Sequence, residues 1–332
     1  MIKLDRIRML IPYYCFEGVE QKDGTEALLL FEDRPMVYDE LLWTFNKRQL
    51  PVGVNEMRVI YKKGLRIDIT AKVLGKEYPQ LLHSGTIRHA LNTTLKGRLI
   101  GYDLDQIIQH SEVYLLHVTR DLHQQVSVAE TLMVLSHVHH RKFNTVPYDS
   151  NIVYTERAKK RARRLSIYDK QMELKRQRKF LAINGKEYML QAFQDTLRIE
   201  LELKKKPILR KYFQEVNGVI TLLSVLKSQS NPIADTFSEI VADVKEDAEE
   251  IPLPGTISKI EKLFGQMTIV KNEGYDINRI RYLVYQNSGG NPSRKMLEYT
   301  NLVKKMMNIR VYEQGGYSHI ARLRKVLEED AE

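Results

Sequence analysis

Alternating hydrophobic and polar residues mark several segments in the first two thirds of the chain. The clearest segment is 197–203, LRIELEL, in which leucine and isoleucine occupy one set of alternate positions while Arg198, Glu200 and Glu202 occupy the other. Because successive side chains of a strand point to opposite faces, this pattern predicts a half-buried strand that presents two carboxylates. The same criteria predict strands at 2–11, 27–31, 57–61, 65–70 and 113–123, with a hairpin joining 57–61 to 65–70.

Helical spacing of apolar residues separates these strands and then dominates the C-terminal third. Helices are predicted at 81–95, 103–110 and 126–139. Ser127 and Glu130 fit a capping box at the start of the third helix. An acidic and then proline-rich segment, 243–255, is typical of a linker or exposed loop. Beyond it, helices are predicted at 257–272, 276–286, 293–307 and 317–328.

These elements together predict an α+β fold. Runs of strands that can pair as antiparallel neighbours, combined with amphipathic helices, are typical of an antiparallel central sheet with helices on one face. We expect this arrangement in residues 1–215, followed by a helical C-terminal domain in residues 216–332. A chain of 332 residues is long enough for two such units.

The chain is strongly basic. Its 52 lysine and arginine residues outnumber its 42 aspartate and glutamate residues, which gives a formal net charge of +10. Such an excess indicates a polyanionic partner, above all nucleic acid, since bound lysine and arginine release counterions from the phosphates. A solvated basic surface is the alternative interpretation.

Cysteine content and hydropathy exclude several other classes. A single cysteine, Cys15, excludes intramolecular disulfides and cysteine-rich zinc sites, and it indicates a reducing cytoplasm. No apolar run approaches the roughly 18 residues that a membrane span needs, so we expect a soluble cytoplasmic protein without membrane contact. No glycine-rich phosphate loop ending in Lys-Ser/Thr is present, so the sequence does not predict a nucleotide-driven motor.

A tyrosine beside a basic run is the leading candidate for chemistry. Tyr168 lies in 165–174, LSIYDKQMEL, directly after 157–164, RAKKRARR. Strand alternation would place Ser166, Tyr168 and Lys170 on one polar face, where the tyrosine hydroxyl can attack a phosphodiester and the lysine can neutralise the phosphate. A half-buried packing tyrosine is the alternative. The basic residues expected to contact DNA phosphates are Arg157, Lys159, Lys160, Arg161, Arg163, Arg164, Lys175 and Arg176.

Carboxylates and a histidine on the predicted strands form a candidate metal site. Alternation places His117 and Asp121 on one face of one strand, and it places Asp68 on the polar face of another. If these strands are neighbours, Asp68, His117, Asp121 and Glu200 converge on a hard divalent cation, Mg²⁺ or Mn²⁺, that would polarise a scissile phosphate. Solvated or ion-paired carboxylates are the alternative.

A competing metal site is the triplet His137-Val138-His139, which is followed by His140. On a strand, such a triplet would point both imidazole rings at one metal ion. Here the triplet ends a stretch with helical spacing, and residues two apart on a helix do not share a face. Imidazolium groups that offset the dipole at the C-terminus of a helix are therefore the alternative interpretation.

Four segments resemble the rolling-circle replication initiators of the filamentous-phage gene II/X type and related plasmid proteins, which are HUH-like endonucleases. The segments are 1–14, MIKLDRIRMLIPYY; 66–75, RIDITAKVLG; 165–174, LSIYDKQMEL; and 197–203, LRIELEL. Their order and rough spacing agree over about residues 1–215. The chain departs from the family in two places: 113–123 lacks the Arg-Ile-Asp of the phage proteins, and 66–75 is not followed by their Gly-His-Asn.

The resemblance implies a metal-dependent tyrosine DNA endonuclease and strand transferase. Tyr168 would nick one strand at a replication origin, forming a 5′-phosphotyrosine and a 3′-hydroxyl primer, while Lys170 would stabilise the phosphate in the transition state. The partners implied are single-stranded or origin DNA and, separately, a helicase or polymerase of a bacterial host. Two alternatives remain open: a non-catalytic single-stranded DNA- or RNA-binding protein, and a structural protein whose basic runs contact an acidic partner.

Overall fold

The computed structural model describes residues 1–17, 19–22, 25–28, 42–44, 50–60, 63–96, 101–148, 150–157, 163–244, 251–275, 277–287, 292–313 and 316–329. Three residues predicted to contact phosphates, Lys159, Lys160 and Arg161, lie outside these ranges. Residues 29–31 of the predicted strand 27–31 also lie outside them.

The described strands are β1 (Leu4–Pro12), β2 (Phe16–Glu17), β3 (Val19–Lys22), β4 (Thr25–Leu28), β5 (Leu42–Thr44), β6 (Val54–Ile60), β7 (Gly64–Thr70), β8 (Gly101–Tyr102), β9 (Glu112–His123), β10 (Phe143–Tyr148), β11 (Asn151–Glu156), β12 (Arg163–Asp169) and β13 (Thr196–Leu203). Nine of them form one sheet in the order β10-β11-β12-β13-β9-β1-β7-β6-β5. All neighbours in this sheet are antiparallel. The predicted α+β class with an antiparallel sheet is confirmed.

The described helices are α1 (Ile87–Leu95), α2 (Leu104–His110), α3 (Val128–Leu135), α4 (Lys170–Lys175), α5 (Arg178–Asn184), α6 (Lys186–Ala192), α7 (Lys206–Tyr212), α8 (Leu222–Leu226), α9 (Pro232–Ile240), α10 (Ile257–Asn272), α11 (Ile277–Asn287), α12 (Pro292–Glu313) and α13 (Gly316–Glu329). Two 3₁₀ segments, Tyr13–Cys15 and Ala71–Gln80, supplement them. No described helix combines the length and the apolar content that crossing a membrane would require.

Strand alternation divides the large sheet into an apolar face and a polar face. On the apolar face Ile7 pairs with Ile69 and with Leu116, and all three side chains are fully buried. Helices α2, α3 and α9 contact strands of the sheet, and their apolar residues belong to the same buried cluster. This layer buries the apolar alternate positions, which is the main driving force for the fold.

The polar face carries the other set of alternate positions. The register aligns Thr70, Arg6, His117, Glu202 and Arg164 in one row across β7, β1, β9, β13 and β12. At one end the segment Ala71–Gln80 contacts β1 and brings Tyr78 over Arg198, α4 contacts β12 and β13, and α5 and α6 pack against α4. That second cover was not predicted from the sequence, which placed helices on one face only.

Local sequence signals explain where several elements begin and end. Gly64 has φ +137° at the start of β7, and a Cβ there would collide with the carbonyl oxygen of Ile11, so glycine is required at the predicted hairpin. Ser127 accepts a hydrogen bond from the backbone N–H of Glu130, as predicted. Helix α3 nevertheless ends at Leu135, four residues before the predicted end at 139.

Two separate apolar clusters stabilise the described chain. The first fills the sheet and its helices, continues past residue 215 through α8 and α9, and includes Ile320, Leu323 and Leu327 of α13. The second lies within residues 251–313, where buried residues of α10, α11 and α12 pack together. The boundary between 215 and 216 stays a prediction, but the first cluster runs across it.

Candidate active site on the polar face

Tyr168 and Glu200 meet on the polar face because β12 and β13 are adjacent. The register pairs Ser166 with Glu200 and Tyr168 with Arg198, so the tyrosine lies one step diagonally from the carboxylate. The Tyr168 hydroxyl donates a hydrogen bond of 2.9 Å to Oε2 of Glu200. The tyrosine is half-buried, and its hydroxyl is held by an acceptor that can take its proton.

His117 lies between two carboxylates. It is opposite Glu202 in the pairing of β9 with β13, and its Nδ1 is hydrogen-bonded to Oε1 of Glu200. Its Nε2 lies 3.2 Å from Oε2 of Glu202. Burial favours the neutral ring, but the hydrogen bonds to Glu200 and Glu202 outweigh burial and raise the pKa of His117 to about 9. At neutral pH the ring is therefore an imidazolium.

The environment of Tyr168 keeps its hydroxyl protonated. Burial raises the pKa of Tyr168 well above its ordinary value near 10, and the negative charge of Glu200 raises it further. Arg198 acts in the opposite direction but does not reverse the shift. A reaction at Tyr168 must therefore remove the proton as the new bond forms, and Glu200 is in position to accept it.

A cavity of about 220 Å³ opens beside this pair. Tyr168, Glu200 and His117 line it, together with Arg164 and Arg176, whose side chains are exposed. The two arginines supply positive charge to the lining, which also includes the carboxylates of Asp169, Glu173 and Glu202. The cavity thus combines a hydroxyl, a proton acceptor and two guanidinium groups that can pair with a phosphate.

Lys170 is close to Tyr168, but not in the way that strand alternation predicts. The strand ends at Asp169, whose side chain accepts a hydrogen bond from the backbone N–H of Met172 and caps α4, so Lys170 begins that helix. The Lys170 ammonium donates a 2.7 Å hydrogen bond to Glu173 and lies 5.7 Å from the ring centroid of Tyr168. Burial, followed by the charge of Arg198, lowers the pKa of Lys170.

Asp68 is not available as the predicted metal ligand. Its carboxylate is fully buried and accepts hydrogen bonds of 2.7 to 2.9 Å from Arg6 and Arg8, with a longer one from Asn55. Strand β1 lies between β7, which carries Asp68, and β9, which carries His117. The predicted convergence of Asp68 on the histidine is therefore wrong.

Asp121 is likewise committed to an arginine. Both of its oxygens accept hydrogen bonds of 2.6 Å from Arg198, which also donates to Asp5. Arg198 is fully buried beneath the rings of Tyr78 and Phe193, at 5.4 and 5.3 Å from their centroids. Of the four predicted ligands, the structure brings together only His117 and Glu200.

His117, Glu200 and Glu202 are the residues that lie close enough together to be considered as ligands of a metal ion. Across the part of the chain that the structure describes, no group of three or more histidine, cysteine, aspartate or glutamate residues is arranged to hold a metal ion. Oxygen and imidazole donors such as those of Glu200, Glu202 and His117 suit Mg²⁺ or Mn²⁺. These three residues could hold such a cation only if His117 lost its proton and left its contacts with Glu200 and Glu202.

The competing histidines lie on the other side of the sheet. His137 and His139 follow α3, and the hydroxyl of Tyr154 donates to the carbonyl oxygen of Leu135 at the end of that helix. Tyr154 is opposite Leu165 in the strand register and therefore lies on the apolar face. The sheet separates this triplet from Tyr168, so the two cannot form one site.

The basic residues predicted to contact DNA have different surroundings. Arg163 is buried on the apolar side and donates to Glu156 and Glu239, so the structure does not place it beside Arg164 in the cavity. Arg164 and Arg176 line the cavity. Arg157 and Lys175 are exposed.

Sequence reasoning missed several residues of this cavity, among them Glu202 and Asn151. Glu202 was recognised as a face-sharing carboxylate, but it was not included in the site although it contacts His117. Asn151, opposite Tyr168 in the pairing of β11 with β12, lies in a hairpin that was not predicted. The β-branched and aromatic residues of 151–155, NIVYT, are the signal that could have revealed it.

Comparison with known proteins adds no relative. No protein-family description matches the chain, and no curated protein matches it.

Proposed function

We propose that this protein is a rolling-circle replication initiator that cuts and rejoins one DNA strand through a 5′-phosphotyrosine intermediate. The observation that carries the proposal is the hydrogen bond from Tyr168 to Glu200 in a cavity that Arg164 and Arg176 also line. A protonated tyrosine, an adjacent carboxylate and two guanidinium groups are the parts that attack on a phosphodiester requires.

In the cutting step the Tyr168 oxygen attacks the phosphorus while its proton passes to Glu200. The bond between phosphorus and the 3′ oxygen breaks, and that oxygen leaves as a hydroxyl with a proton taken from the open cavity. Arg164 and Arg176 stabilise the negative charge that develops on the phosphate. In the rejoining step a 3′-hydroxyl attacks the phosphorus and gives its proton to solvent, the bond between phosphorus and the Tyr168 oxygen breaks, and Glu200 returns the proton to that oxygen, so the reaction needs no ATP.

Lys170 acts as a positioning residue in this mechanism. Its ammonium is paired with Glu173 and faces the rings of Tyr168 and Tyr78, at 5.7 and 5.2 Å from their centroids. It therefore holds the tyrosine by cation–π contact rather than touching the phosphate. A bound divalent cation, for which His117, Glu200 and Glu202 are the candidate ligands, would polarise the phosphate.

The proposal is tested by covalent capture of DNA. The purified chain is incubated, with Mg²⁺ or Mn²⁺ and with EDTA, with a pool of randomised single-stranded oligonucleotides labelled at the 3′ end. We expect a labelled protein adduct that survives denaturing electrophoresis, because the 5′-phosphotyrosine retains the 3′ fragment. Tyr168→Phe should abolish the adduct, and Glu200→Gln should slow its formation about 100-fold or more while oligonucleotide binding persists.

A non-catalytic single-stranded nucleic-acid-binding protein is the second candidate. It is favoured by Tyr148, which is 61% exposed and shares the polar face through its pairing with Asn151. An exposed aromatic ring is typical of base stacking. If the wild-type chain binds the pool tightly but forms no adduct with either metal, this second function is correct and the first is wrong.

A further inference from the structure

Four arginines lie together on the polar face, on strands distant from Tyr168. Arg58 on β6 pairs with Arg66 on β7, while Arg8 and Arg6 on β1 pair with Asp68 and Thr70 of β7. All four therefore point to the same side of the sheet. We call Arg6, Arg8, Arg58 and Arg66 the arginine cluster.

The cluster has more positive charge than its neighbours neutralise. Arg6 and Arg8 share the carboxylate of Asp68, and Arg66 contacts Glu56 at 3.1 Å. Glu112, at the margin, is engaged by the hydroxyl of Tyr114. The guanidinium groups of Arg6, Arg8 and Arg66 thus contact the carboxylates of Asp68 and Glu56, and the charges of Glu202 and Glu200 also act on Arg6.

Two of the cluster's donors have no acceptor. Within the described residues, Nε of Arg58 and Nε of Arg66 are buried without a hydrogen-bond partner. Buried donors of this kind are uncommon, because each lacks the hydrogen bonds that it would make in water. The side chains of Arg6, Arg8 and Arg66 are nevertheless 27, 35 and 30% exposed, so an anionic group can reach the cluster.

We infer that the arginine cluster binds backbone phosphates of a single strand of nucleic acid whose path crosses the sheet strands towards the Tyr168 cavity. Arg6 is opposite His117 in the strand register, so the cluster and the cavity are continuous on one face. Four strand-to-strand steps separate β12 from β7, about 19 Å at the usual spacing. A path of this length accommodates several nucleotides, in the range that one sheet face can hold.

Charge and shape favour nucleic acid over an acidic protein as the occupant. Guanidinium forks match phosphate oxygens in pairs. Tyr114 on β9 is 40% exposed close to Arg66, and it offers a ring on which a base can stack. An acidic peptide would use the charge but would leave this exposed ring without a stacking partner.

Length-dependent binding tests the inference. Binding of fluorescent oligo(dT) of 4, 8, 12 and 16 nucleotides is measured by anisotropy in a Tyr168→Phe background, so that cleavage cannot contribute. Arg58→Gln/Arg66→Gln is the test variant, since Arg6 and Arg8 also hold the buried Asp68. Arg322→Gln/Arg324→Gln, on exposed positions of α13, removes the same charge on the helical side and is the control.

For the parent protein we expect affinity to rise with length up to about 12 nucleotides. The test variant should bind the 12-nucleotide oligomer about tenfold or more weakly than the parent, but the 4-nucleotide oligomer less than about twofold more weakly. The slope of its log affinity against log salt concentration should become shallower by about 1.4, or 0.7 for each lost phosphate contact. The control should match the parent protein, and Arg58→Lys/Arg66→Lys should restore the salt dependence. The inference is overturned if the test variant loses the same affinity at every oligonucleotide length. It is also overturned if the variant has the stability of the parent protein and loses no affinity.

The inference takes its strand and its direction from the proposed function, but the two fail differently. Length-dependent binding without a covalent adduct in the wild-type chain would refute the cutting reaction and leave the arginine cluster as a binding site. A covalent adduct in the wild-type chain, combined with unchanged binding of the test variant, would support the cutting reaction and refute the arginine cluster as a binding site. If polyglutamate binds through the cluster and oligo(dT) does not, the occupant is an acidic protein and the inference is wrong.

Discussion

Asp68 and Glu200 occupy similar alternate positions on their strands, yet their carboxylates meet different neighbours. Asp68 has arginines from β1 on one side, and their hydrogen bonds outweigh burial and lower its pKa. Glu200 has the hydroxyl of Tyr168 and the ring of His117. The first carboxylate is saturated by permanent cations, whereas the second contacts groups that can gain or lose a proton. Only the second is suited to chemistry.

Asp68→Asn should therefore affect stability. Removing the charge leaves Arg6 and Arg8 without their shared carboxylate, and we expect the free energy of unfolding to fall by about 2–3 kcal/mol, since both arginines are partly exposed. Glu56→Gln, at a more exposed pair, should lower it by less than about 1 kcal/mol. Urea denaturation with and without Mg²⁺ measures both. If Asp68→Asn is as stable as the wild-type chain without Mg²⁺ but lacks a stabilisation that Mg²⁺ gives the wild-type chain, Asp68 is a metal ligand after all.

Elements with strong periodicity follow from the sequence, while elements defined by tertiary contacts do not. The strand at 197–203 and helix α10 lie within one residue of their predicted bounds, and in the strand one apolar set is buried along the whole segment. The strand predicted at 65–70 is likewise within one residue of its bounds, but the 3₁₀ segment that follows it, where the chain turns to bring Tyr78 over Arg198, was not predicted. Carboxylate partners depend on register between strands far apart in sequence, which alternation does not specify.

An ionic contact joins α9 to β12 and gives the fold a predictable acid dependence. Arg163 donates to Glu239 at 2.8 Å, and Lys142 donates to the same carboxylate. Burial would raise the pKa of Glu239, but the hydrogen bonds from Arg163 and Lys142 outweigh it and lower the pKa to about 2. The resulting stability is fully present above the ordinary pKa near 4.5, and it is lost as pH falls towards 2.

Glu239→Gln should remove this pH dependence. We expect the variant to be about 1–2 kcal/mol less stable at pH 7, because part of the carboxylate is exposed and solvent screens the pair. The difference from the wild-type chain should shrink as pH falls from 5 towards 2. Urea denaturation at several pH values measures it, with Glu328→Gln at an exposed pair on α13 as the control. A difference that is constant with pH would contradict the assigned pKa.

At the scale of the whole molecule, α13 belongs to the sheet although it follows the helices of the second cluster. Arg120 on β9 donates to the carbonyl oxygens of Val326 and Leu327, and Asn231 donates to Leu327 as well. Helix α13 contacts α3 and α9. The chain thus leaves the first cluster after α9, forms the second cluster, and returns, so that residues 251–313 are attached to the sheet at both ends.

This topology predicts that a core substitution in α13 destabilises the sheet. Leu323 is fully buried, and Leu323→Ala should lower the free energy of unfolding of the sheet by about 2–4 kcal/mol. Hydrogen exchange should then accelerate in the most protected amides of β9 and β13. Met306→Ala, in the second cluster, is the matched control: it should accelerate exchange within α10 to α12 and leave the sheet protected. If Leu323→Ala instead loosens only residues 251–329, α13 is energetically part of the helical unit, and the predicted division into an N-terminal sheet and a C-terminal helical domain describes the molecule better than a return of the chain to the first cluster.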